Sequence, residues 1–253
     1  MIKTVDLTKD YGRIRAVDHV NLEVGSGEIY GFLGPNGAGK TTTIRMLIGL
    51  LKPTSGSVHI DGHDLRKDPV AAKGVVGFIP DRPYLYEKLS GGEFLRFMAG
   101  LYGMEAEETD KKLMELLEFF SLADWRDELV ESYSHGMKQR LIMASAFIHS
   151  PKCIIVDEPM VGLDPAGARL LKDTFRKLAR DGGSIFMSTH TLEIAESMCD
   201  RLAIIDHGRI IAEGSMEDLR KRSAEPEEAH LEDIFLSLVG KDDMKDVIES
   251  LRL

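Results

Sequence analysis

One glycine-rich segment constrains this chain more than any other, because it lies between an apolar stretch and a helical one. Residues 34–41 read Gly-Pro-Asn-Gly-Ala-Gly-Lys-Thr and match the phosphate-loop pattern G-x-x-x-x-G-K-[ST]. The residues before it, Ile29 to Leu33, form a continuous apolar run typical of a strand buried on both faces, and a helix is predicted to begin near Lys40. A glycine-rich turn that contained Lys-Thr only by chance would not require a buried strand before it and a helix after it. The order of strand, loop and helix therefore predicts a site for phosphate groups.

Each residue type in this loop has a physical task. Glycines let successive backbone N–H groups turn inward around phosphate oxygens, and the helix N-terminus adds the positive end of its dipole. Lys40 can reach the β- and γ-phosphates of a nucleotide, and the Thr41 hydroxyl can bind Mg²⁺. The residues predicted to bind nucleotide here are Gly34, Pro35, Asn36, Gly37, Ala38, Gly39, Lys40, Thr41 and Thr42.

A second apolar stretch, Cys153 to Val156, ends in the carboxylate pair Asp157-Glu158. An apolar strand that delivers carboxylates at its carboxyl end suits a nucleotidase with a phosphate loop. We expect Asp157 to hold Mg²⁺, directly or through water, and Glu158 to polarise the attacking water. Alone, such a pair is usually a solvated loop or a helix cap. The hypothesis therefore depends on the phosphate loop.

Strand-like and helical runs alternate along most of the chain, which favours an α/β domain with a largely parallel sheet. Residues 20–24 and 58–62 instead show the alternation of half-solvated antiparallel strands, and residues 90–150 show helical periodicity. We expect one nucleotide-binding domain over residues 1–222, with a helical insert at about 87–150. Residues 223–253 are interpreted as a C-terminal linker and short helices, one of them at Leu231 to Val239.

The composition narrows the class of protein. The 253 residues carry a formal net charge of −10, which argues against a protein that coats nucleic acid. No stretch approaches the ~18 consecutive apolar residues of a membrane-spanning helix, and the first residues lack the pattern of a signal peptide. The two cysteines form no Cys/His cluster, so neither structural zinc nor a disulfide framework is expected.

Together these motifs resemble the ATP-binding subunit of ABC transporters. The motifs occur in the family's order and at its approximate spacing, to about Leu219, and comprise the phosphate loop, Asp157-Glu158-Pro159, Gly162-Leu163-Asp164-Pro165 and Ser188-Thr189-His190. The resemblance implies a P-loop NTPase of ABC type, an α/β fold with a mixed core sheet, an antiparallel β subdomain and a helical subdomain insert. It also implies ATP and Mg²⁺ as cofactors, Asp164 in a loop that contacts a partner subunit, and His190 as a switch at the γ-phosphate.

Two further residues gain candidate roles from the resemblance. Tyr11 matches the aromatic residue that stacks on adenine, although an aromatic side chain that braces the first hairpin is a competing interpretation. Asp81 stands where the family normally has a Gln that contacts Mg²⁺ and the attacking water. A carboxylate is a good Mg²⁺ ligand, but it is shorter and adds negative charge. Asp81 binds the metal, acts through water, or has lost the role; our hypothesis is that it faces Mg²⁺.

Two segments compete for the family's signature sequence, Leu-Ser-Gly-Gly-Gln. The segment Leu89 to Glu93 matches these letters better but begins the helical insert, so we interpret it as a helix-starting cap and turn. The segment Tyr133 to Arg140 opens the helix before the second apolar strand, where the signature belongs. Ser134 and Gly136 are thus predicted to grip the γ-phosphate bound by a second subunit. His135 replaces the first signature glycine and would be strained if its φ had to be positive.

The resemblance implies an ATPase that powers a separate multi-span permease, and residues 133–140 look closest to the exporter-like branch. The expected partners are a second copy of the chain, paired head to tail, and the permease, which would dock at Pro83-Tyr84-Leu85-Tyr86; no direct contact with nucleic acid is expected. The expected location is the cytoplasm, at the inner face of the cell membrane. Two alternatives stay open: a degenerate regulatory subunit, and a soluble ABC-type ATPase of translation or DNA repair.

Overall fold

The computed structural model describes residues 1–82, 84–160, 165–223 and 230–239. Four strands form an antiparallel sheet in the order β2-β1-β4-β5. These strands are β1 (Ile2–Tyr11), β2 (Ile14–Val24), β4 (Ser55–Ile60) and β5 (His63–Asp64). In β2, Val20, Leu22 and Val24 are buried and the residues between them are exposed. The alternation predicted from the sequence is confirmed.

The second sheet carries the phosphate loop and has six strands in the order β10-β9-β3-β8-β7-β6. Its strands are β3 (Ile29–Leu33), β6 (Val76–Ile79), β7 (Cys153–Asp157), β8 (Ser184–Thr189), β9 (Arg201–Asp206) and β10 (Arg209–Gly214). All neighbours pair in parallel except β10, which is antiparallel to β9. Every residue of β3, β7 and β8 is buried, as continuous apolar strands covered on both faces require.

Helices cover this sheet, and three of them follow β6 before the chain returns in β7. The helices are α1 (Lys40–Leu47), α2 (Pro69–Gly74), α3 (Gly91–Leu101), α4 (Ala106–Phe119), α5 (His135–Phe147), α6 (Pro165–Arg180), α7 (Leu192–Met198), α8 (Met216–Ser223) and α9 (Leu231–Val239). Within the described ranges, none of them combines the length and the apolar character needed to cross a bilayer.

The core is divided between the two faces of the six-stranded sheet, since successive strand residues point to opposite faces. On one face Ile154, Ile185 and Met187 pack with the apolar residues of the three helices between β6 and β7. On the other face Phe186 packs between Tyr30 and Phe32, with ring centroids 6.0 and 5.3 Å away. The sheet that carries the phosphate loop is therefore held rigid from both sides.

The first candidate signature segment is a helix cap. The Ser90 hydroxyl accepts from the Glu93 backbone N–H at 3.2 Å, and the Glu93 carboxylate accepts from the Ser90 N–H at 2.7 Å. This reciprocal capping box fixes the start of α3. A Cβ on Gly91 would lie 2.2 Å from the Tyr133 hydroxyl oxygen, so glycine is needed there for close packing. The interpretation of this segment as a cap and turn is confirmed.

Candidate nucleotide site

The glycine-rich loop joins β3 to α1 at the carboxyl edge of the central strand. Gly37 and Gly39 have φ values of 83° and 109°, in the region that favours glycine. A Cβ on Gly39 would lie 2.5 Å from the Ala16 carbonyl oxygen, and one on Gly34 would lie 2.3 Å from the Ile205 carbonyl oxygen. Backbone packing thus excludes larger side chains at Gly34 and Gly39, and the loop is closely supported by the strands beside it.

Lys40 is the first residue of α1, and its side chain is largely buried. The Nζ atom donates to the carbonyl oxygens of Gly34 at 2.6 Å and Pro35 at 3.0 Å. Burial lowers the pKa of this ammonium, and the nearby carboxylates of Asp157 and Glu158 oppose that shift. A phosphate anion in the loop would likewise compensate the desolvation of the lysine charge.

A hydroxyl and a carboxylate meet where the metal ligands were predicted. The Thr41 Oγ1 lies 3.4 Å from the Asp157 Oδ2, and the Ser188 hydroxyl donates to the Asp157 Oδ1. Burial raises the pKa of Asp157, and the charges of Asp81 and Glu158 act in the same direction. No group of three or more His, Cys, Asp or Glu forms a metal cage among the residues described. This donor set fits Mg²⁺, which uses one or two carboxylates together with phosphate oxygens and water.

Glu158 and His190 come together at the ends of two neighbouring strands. The Glu158 Oε1 lies 2.7 Å from the His190 Nδ1, and its Oε2 accepts from the Thr189 hydroxyl at 3.4 Å. Glu158 has a φ of 51°, an uncommon conformation for a residue other than glycine, and its backbone N–H donates to the Ser188 carbonyl. The carboxylate is therefore oriented by the backbone turn after β7 and by the side chains of Thr189, which ends β8, and His190, which follows it.

These groups surround one cleft of about 320 Å³. Its walls are formed by Ala16, Asn36, Gly37, Gly39, Lys40, Thr41, Thr42, Asp81, Asp157, Glu158 and His190. The structure thus brings six of the nine predicted loop residues, both predicted carboxylates, Asp81 and the predicted switch histidine to one site. The other three loop residues, Gly34, Pro35 and Ala38, do not line the cleft. A larger groove of about 440 Å³, beside Lys52 and Arg66, contains none of the predicted residues.

Several predicted residues lie away from this cleft. Tyr11 ends β1 with 47% of its surface exposed, and the Lys9 Nζ lies 5.3 Å from its ring centroid. Ser134 caps α5 by accepting from the Met137 N–H at 3.3 Å, with Gly136 in the first turn of the same helix. Neither Tyr11 nor these two residues line the cleft. His135 is helical and has no positive φ, so the condition under which it would be strained is not met.

Three predictions concern positions that the structure does not describe, and two contacts were missed. Asp164, Pro83 and, within the predicted C-terminal segment, residues 224–229 and 240–253 lie outside the described residues. The Ser188 hydroxyl donates to Asp157. The sequence marks Ser188 only as part of a motif, although a hydroxyl at the end of a strand beside β7 is a usable signal. Ala16 lines the cleft through the fold of β2, and nothing in the sequence marks it.

Comparison with known proteins finds one family. The family model described as ABC transporter matches residues 17–161. The bacitracin transport ATP-binding protein of Bacillus licheniformis is 42% identical over 234 residues, which cover 92% of this chain and 76% of that protein. The daunorubicin/doxorubicin resistance ATP-binding protein of Streptomyces peucetius is 40% identical over 219 residues, with coverage of 87% and 66%. The chain therefore spans about two thirds to three quarters of these relatives.

Solved structures show the same similarity. An ATP-binding subunit of an ABC transporter superposes with a TM-score of 0.90 at 34% identity, covering 95% of this chain and 100% of the other. A dimeric ATP-binding cassette, in a post-hydrolysis state with ADP and Pi bound, gives a TM-score of 0.77 at 26% identity, with coverage of 85% and 99%. The two similarities extend over nearly all of the solved chains and over 95% and 85% of this chain.

Proposed function

Because the chain belongs to the ABC transporter family, we propose that it is an ATP-hydrolysing subunit that drives a separate membrane permease, and that the transport is export. The observation that carries the proposal is the convergence of the phosphate loop, Asp157, Glu158 and His190 on one cleft. The names of relatives from bacitracin transport and from daunorubicin/doxorubicin resistance support export of antibiotics or drugs. We assign residues 1–222 to the ATP-binding domain, with the helical insert at about 87–150, and residues 223–253 to a C-terminal linker and short helices.

The chemistry follows from positions within the cleft. Lys40 binds the β- and γ-phosphates, and the loop backbone donates to their oxygens. Mg²⁺, when bound by Thr41 and Asp157, would neutralise charge on these phosphates and orient them. Glu158 orients a water molecule for in-line attack and accepts its proton. His190, hydrogen-bonded to Glu158 at 2.7 Å, contacts the γ-phosphate. Tyr11, which lies outside this cleft, is proposed to stack on adenine.

Asp81 is proposed to face the metal, since it lines the cleft and its charge raises the pKa of Asp157. The variant Asp81→Asn should raise the Mg²⁺ concentration for half-maximal ATP hydrolysis by about three- to tenfold, because an amide oxygen is a weaker ligand than a carboxylate. The measurement is phosphate release against Mg²⁺, with Asp173→Asn on the exposed face of α6 as control. Unchanged turnover and Mg²⁺ dependence would refute the role.

A second copy of the chain is proposed to complete the site. Ser134 is exposed at the first turn of α5, with Gly136 beside it, and neither lines this chain's own cleft. A capped helix start with an exposed hydroxyl suits the γ-phosphate of another subunit. The dimeric ADP- and Pi-bound relative supports such an arrangement. Two identical chains paired head to tail would then form two composite sites.

Mixing two inactive variants tests this arrangement. Glu158→Gln and Ser134→Arg should each hydrolyse ATP very slowly, but a mixed dimer would contain one site with both defects and one intact site. An equimolar mixture should therefore recover roughly a quarter of wild-type turnover if subunits exchange freely and the two sites act independently. Ser132→Arg, two residues away and also exposed, is the matched control and should stay active. A mixture no more active than its separate components would contradict the shared site.

An exposed aromatic surface is the proposed docking site for the permease. Tyr84 is 79% exposed, and Tyr86 packs edge-on against the exposed Phe97, with centroids 5.3 Å apart. Leu101 extends the apolar surface on α3. Since the net charge is −10, a local apolar contact suits membrane attachment better than attraction to anionic lipid. We propose that the protein lies in the cytoplasm at the inner face of the cell membrane, held by its permease, with no nucleic-acid partner.

A further inference from the structure

The turn between β9 and β10 lies directly against the phosphate loop. The Gly208 backbone N–H donates to the Ala38 carbonyl oxygen at 3.0 Å. The Gly208 carbonyl oxygen in turn accepts from the Asp18 backbone N–H at 2.8 Å. One residue of the turn therefore bridges the phosphate loop and β2, although these three residues are far apart in the sequence.

Steric contact makes this bridge stiff. A Cβ on Gly208 would lie 2.9 Å from the Ala16 carbonyl oxygen, and a Cβ on Gly39 would lie 2.5 Å from the same atom. The Ala16 carbonyl is thus enclosed between a glycine of the turn and a glycine of the phosphate loop. Because backbone atoms fill the space, a shift of the turn must move Ala16 or the loop. Ala16 itself lines the nucleotide cleft.

Charged side chains next to Ala16 and Gly208 form a group of ion pairs. We call this group the Asp18 cluster; it consists of Asp10, Arg15, Asp18, His19 and Arg209. The Asp18 carboxylate, in a residue that is only 8% exposed, pairs with Arg209 at 2.5 Å, with the Arg15 Nη1 at 3.1 Å and with the His19 Nδ1 at 2.7 Å. Arg209 directly follows Gly208, and Arg15 directly precedes Ala16. The carboxylate therefore ties together the two segments that meet at the loop.

The cluster also reaches the other end of the proposed nucleotide site. The Arg15 Nε donates to the Asp10 Oδ1 at 2.8 Å, and Asp10 precedes Tyr11, the proposed adenine contact. Arg15 thus links the residue beside Tyr11 to the carboxylate behind the phosphate loop. A chain of ion pairs therefore connects Asp10, next to the proposed adenine contact, with Arg209, next to the turn that packs on the phosphate loop.

We propose that the Asp18 cluster positions the phosphate loop for nucleotide binding, with Asp18 and Arg209 as positioning residues that touch no nucleotide themselves. The proposal rests on the proposed function and extends it to residues remote from the chemistry. Its physical basis is that the ion pairs hold Gly208 and Ala16 against the loop, so that the backbone from Ala38 to Lys40 is preorganised and less ordering is needed on binding.

If the Asp18 cluster only stabilised the fold, its removal would act mainly on global stability and not on nucleotide affinity. The Arg209 side chain is 72% exposed, and exposed ion pairs contribute little to global stability. Removing Arg209 should therefore change the melting temperature only slightly. The local order of the loop, and with it the nucleotide affinity, should change much more. Measurements of nucleotide affinity and of melting temperature on the same Arg209 variant therefore distinguish the two roles.

The test compares Arg209→Ala with Arg209→Lys in the full-length chain. We expect Arg209→Ala to weaken ADP binding about tenfold in calorimetry and to raise KM for ATP by a similar factor, with kcat changed less than twofold. Arg209→Lys, which restores the charge, should bind within about threefold of the wild type. Hydrogen exchange at the Gly208 amide should accelerate in Arg209→Ala. The control is Lys3→Ala, which removes an ion pair with Glu23 between β1 and β2.

The outcomes separate this inference from the proposed function. A wild-type chain that bound no ADP would overturn both. A wild-type chain that bound ADP, with Arg209→Ala equal to it, would overturn the positioning role alone, as would an equal loss in Lys3→Ala. If Arg209→Ala lowers the melting temperature substantially, Asp18→Asn serves as a second test, because asparagine keeps the shape of the side chain and removes its charge. It should give the same loss of affinity, and unchanged affinity there would also overturn the proposal.

Discussion

Replacing Glu158 with glutamine should lower ATP turnover at least about 100-fold while nucleotide affinity stays within about threefold of the wild type. A general base commonly contributes a factor of ~10² to 10⁴. Glutamine keeps the size of the side chain and can still hydrogen-bond His190, which lies 2.7 Å from the carboxylate. It cannot accept the proton of the attacking water. Phosphate release under saturating ATP measures turnover, and calorimetry with ADP measures affinity.

Glu193→Gln is the matched control, because Glu193 is exposed on the helix that follows His190. It should retain near-wild-type turnover. A Glu158→Gln protein within fivefold of the wild type would mean that another group activates the water. An equal loss of affinity and turnover would mean that Glu158 mainly supports the shape of the site. Its φ of 51° at the end of β7 is the reason to test for such a structural role.

Phe186→Ala should lower the free energy of unfolding by about 3–5 kcal/mol, a large share of the ~5–15 kcal/mol that keeps a domain folded. Phe186 is fully buried in β8 and packs between Tyr30 and Phe32 of the strand that carries the phosphate loop. Truncation would remove both ring contacts and leave a cavity beneath the loop. Urea denaturation followed by circular dichroism measures the loss.

Phe186→Leu is the first comparison for this prediction, because it keeps most of the apolar volume and should cost clearly less than alanine. Tyr84→Ala is the second, since Tyr84 is largely exposed and its loss should change stability by less than about 0.5 kcal/mol. A cost below 1 kcal/mol for Phe186→Ala would show that the packing around this ring can collapse and fill the space.

Structural features that depend on short stretches of sequence were predicted well. The phosphate loop between an apolar run and Lys40 and the cap at Ser90 each depend on neighbouring residues. The hairpin that the structure shows at His207-Gly208 is equally local. In that hairpin both residues have positive φ, as a tight two-residue turn between β9 and β10 requires. The fold class, a P-loop NTPase of ABC type, is confirmed by the strand order and by the related structures.

Features that depend on distant residues were not predictable in the same way. The ion pair between Asp18 and Arg209 joins residues 191 positions apart, and no local pattern marks either one as a partner. The left-handed conformation of Glu158 arises where β7 ends against Ser188, not from its own preference. The short helix α2 was missed because Pro69 and Gly74 look like loop residues; in fact Asp68 caps the helix and Pro69 starts it.

The position of β3 between β8 and β9 has a consequence for synthesis of the chain. The strand that bears the phosphate loop is made early, but both of its neighbours are among the last strands of the sheet. At ribosomal rates of ~5–20 residues per second, roughly 10–35 s separate its emergence from that of β9. During this interval the apolar strand β3 has no paired neighbour. ATP binding is therefore a late event in the life of the nascent chain, and shortened translation products would be exposed to aggregation before any nucleotide could stabilise them.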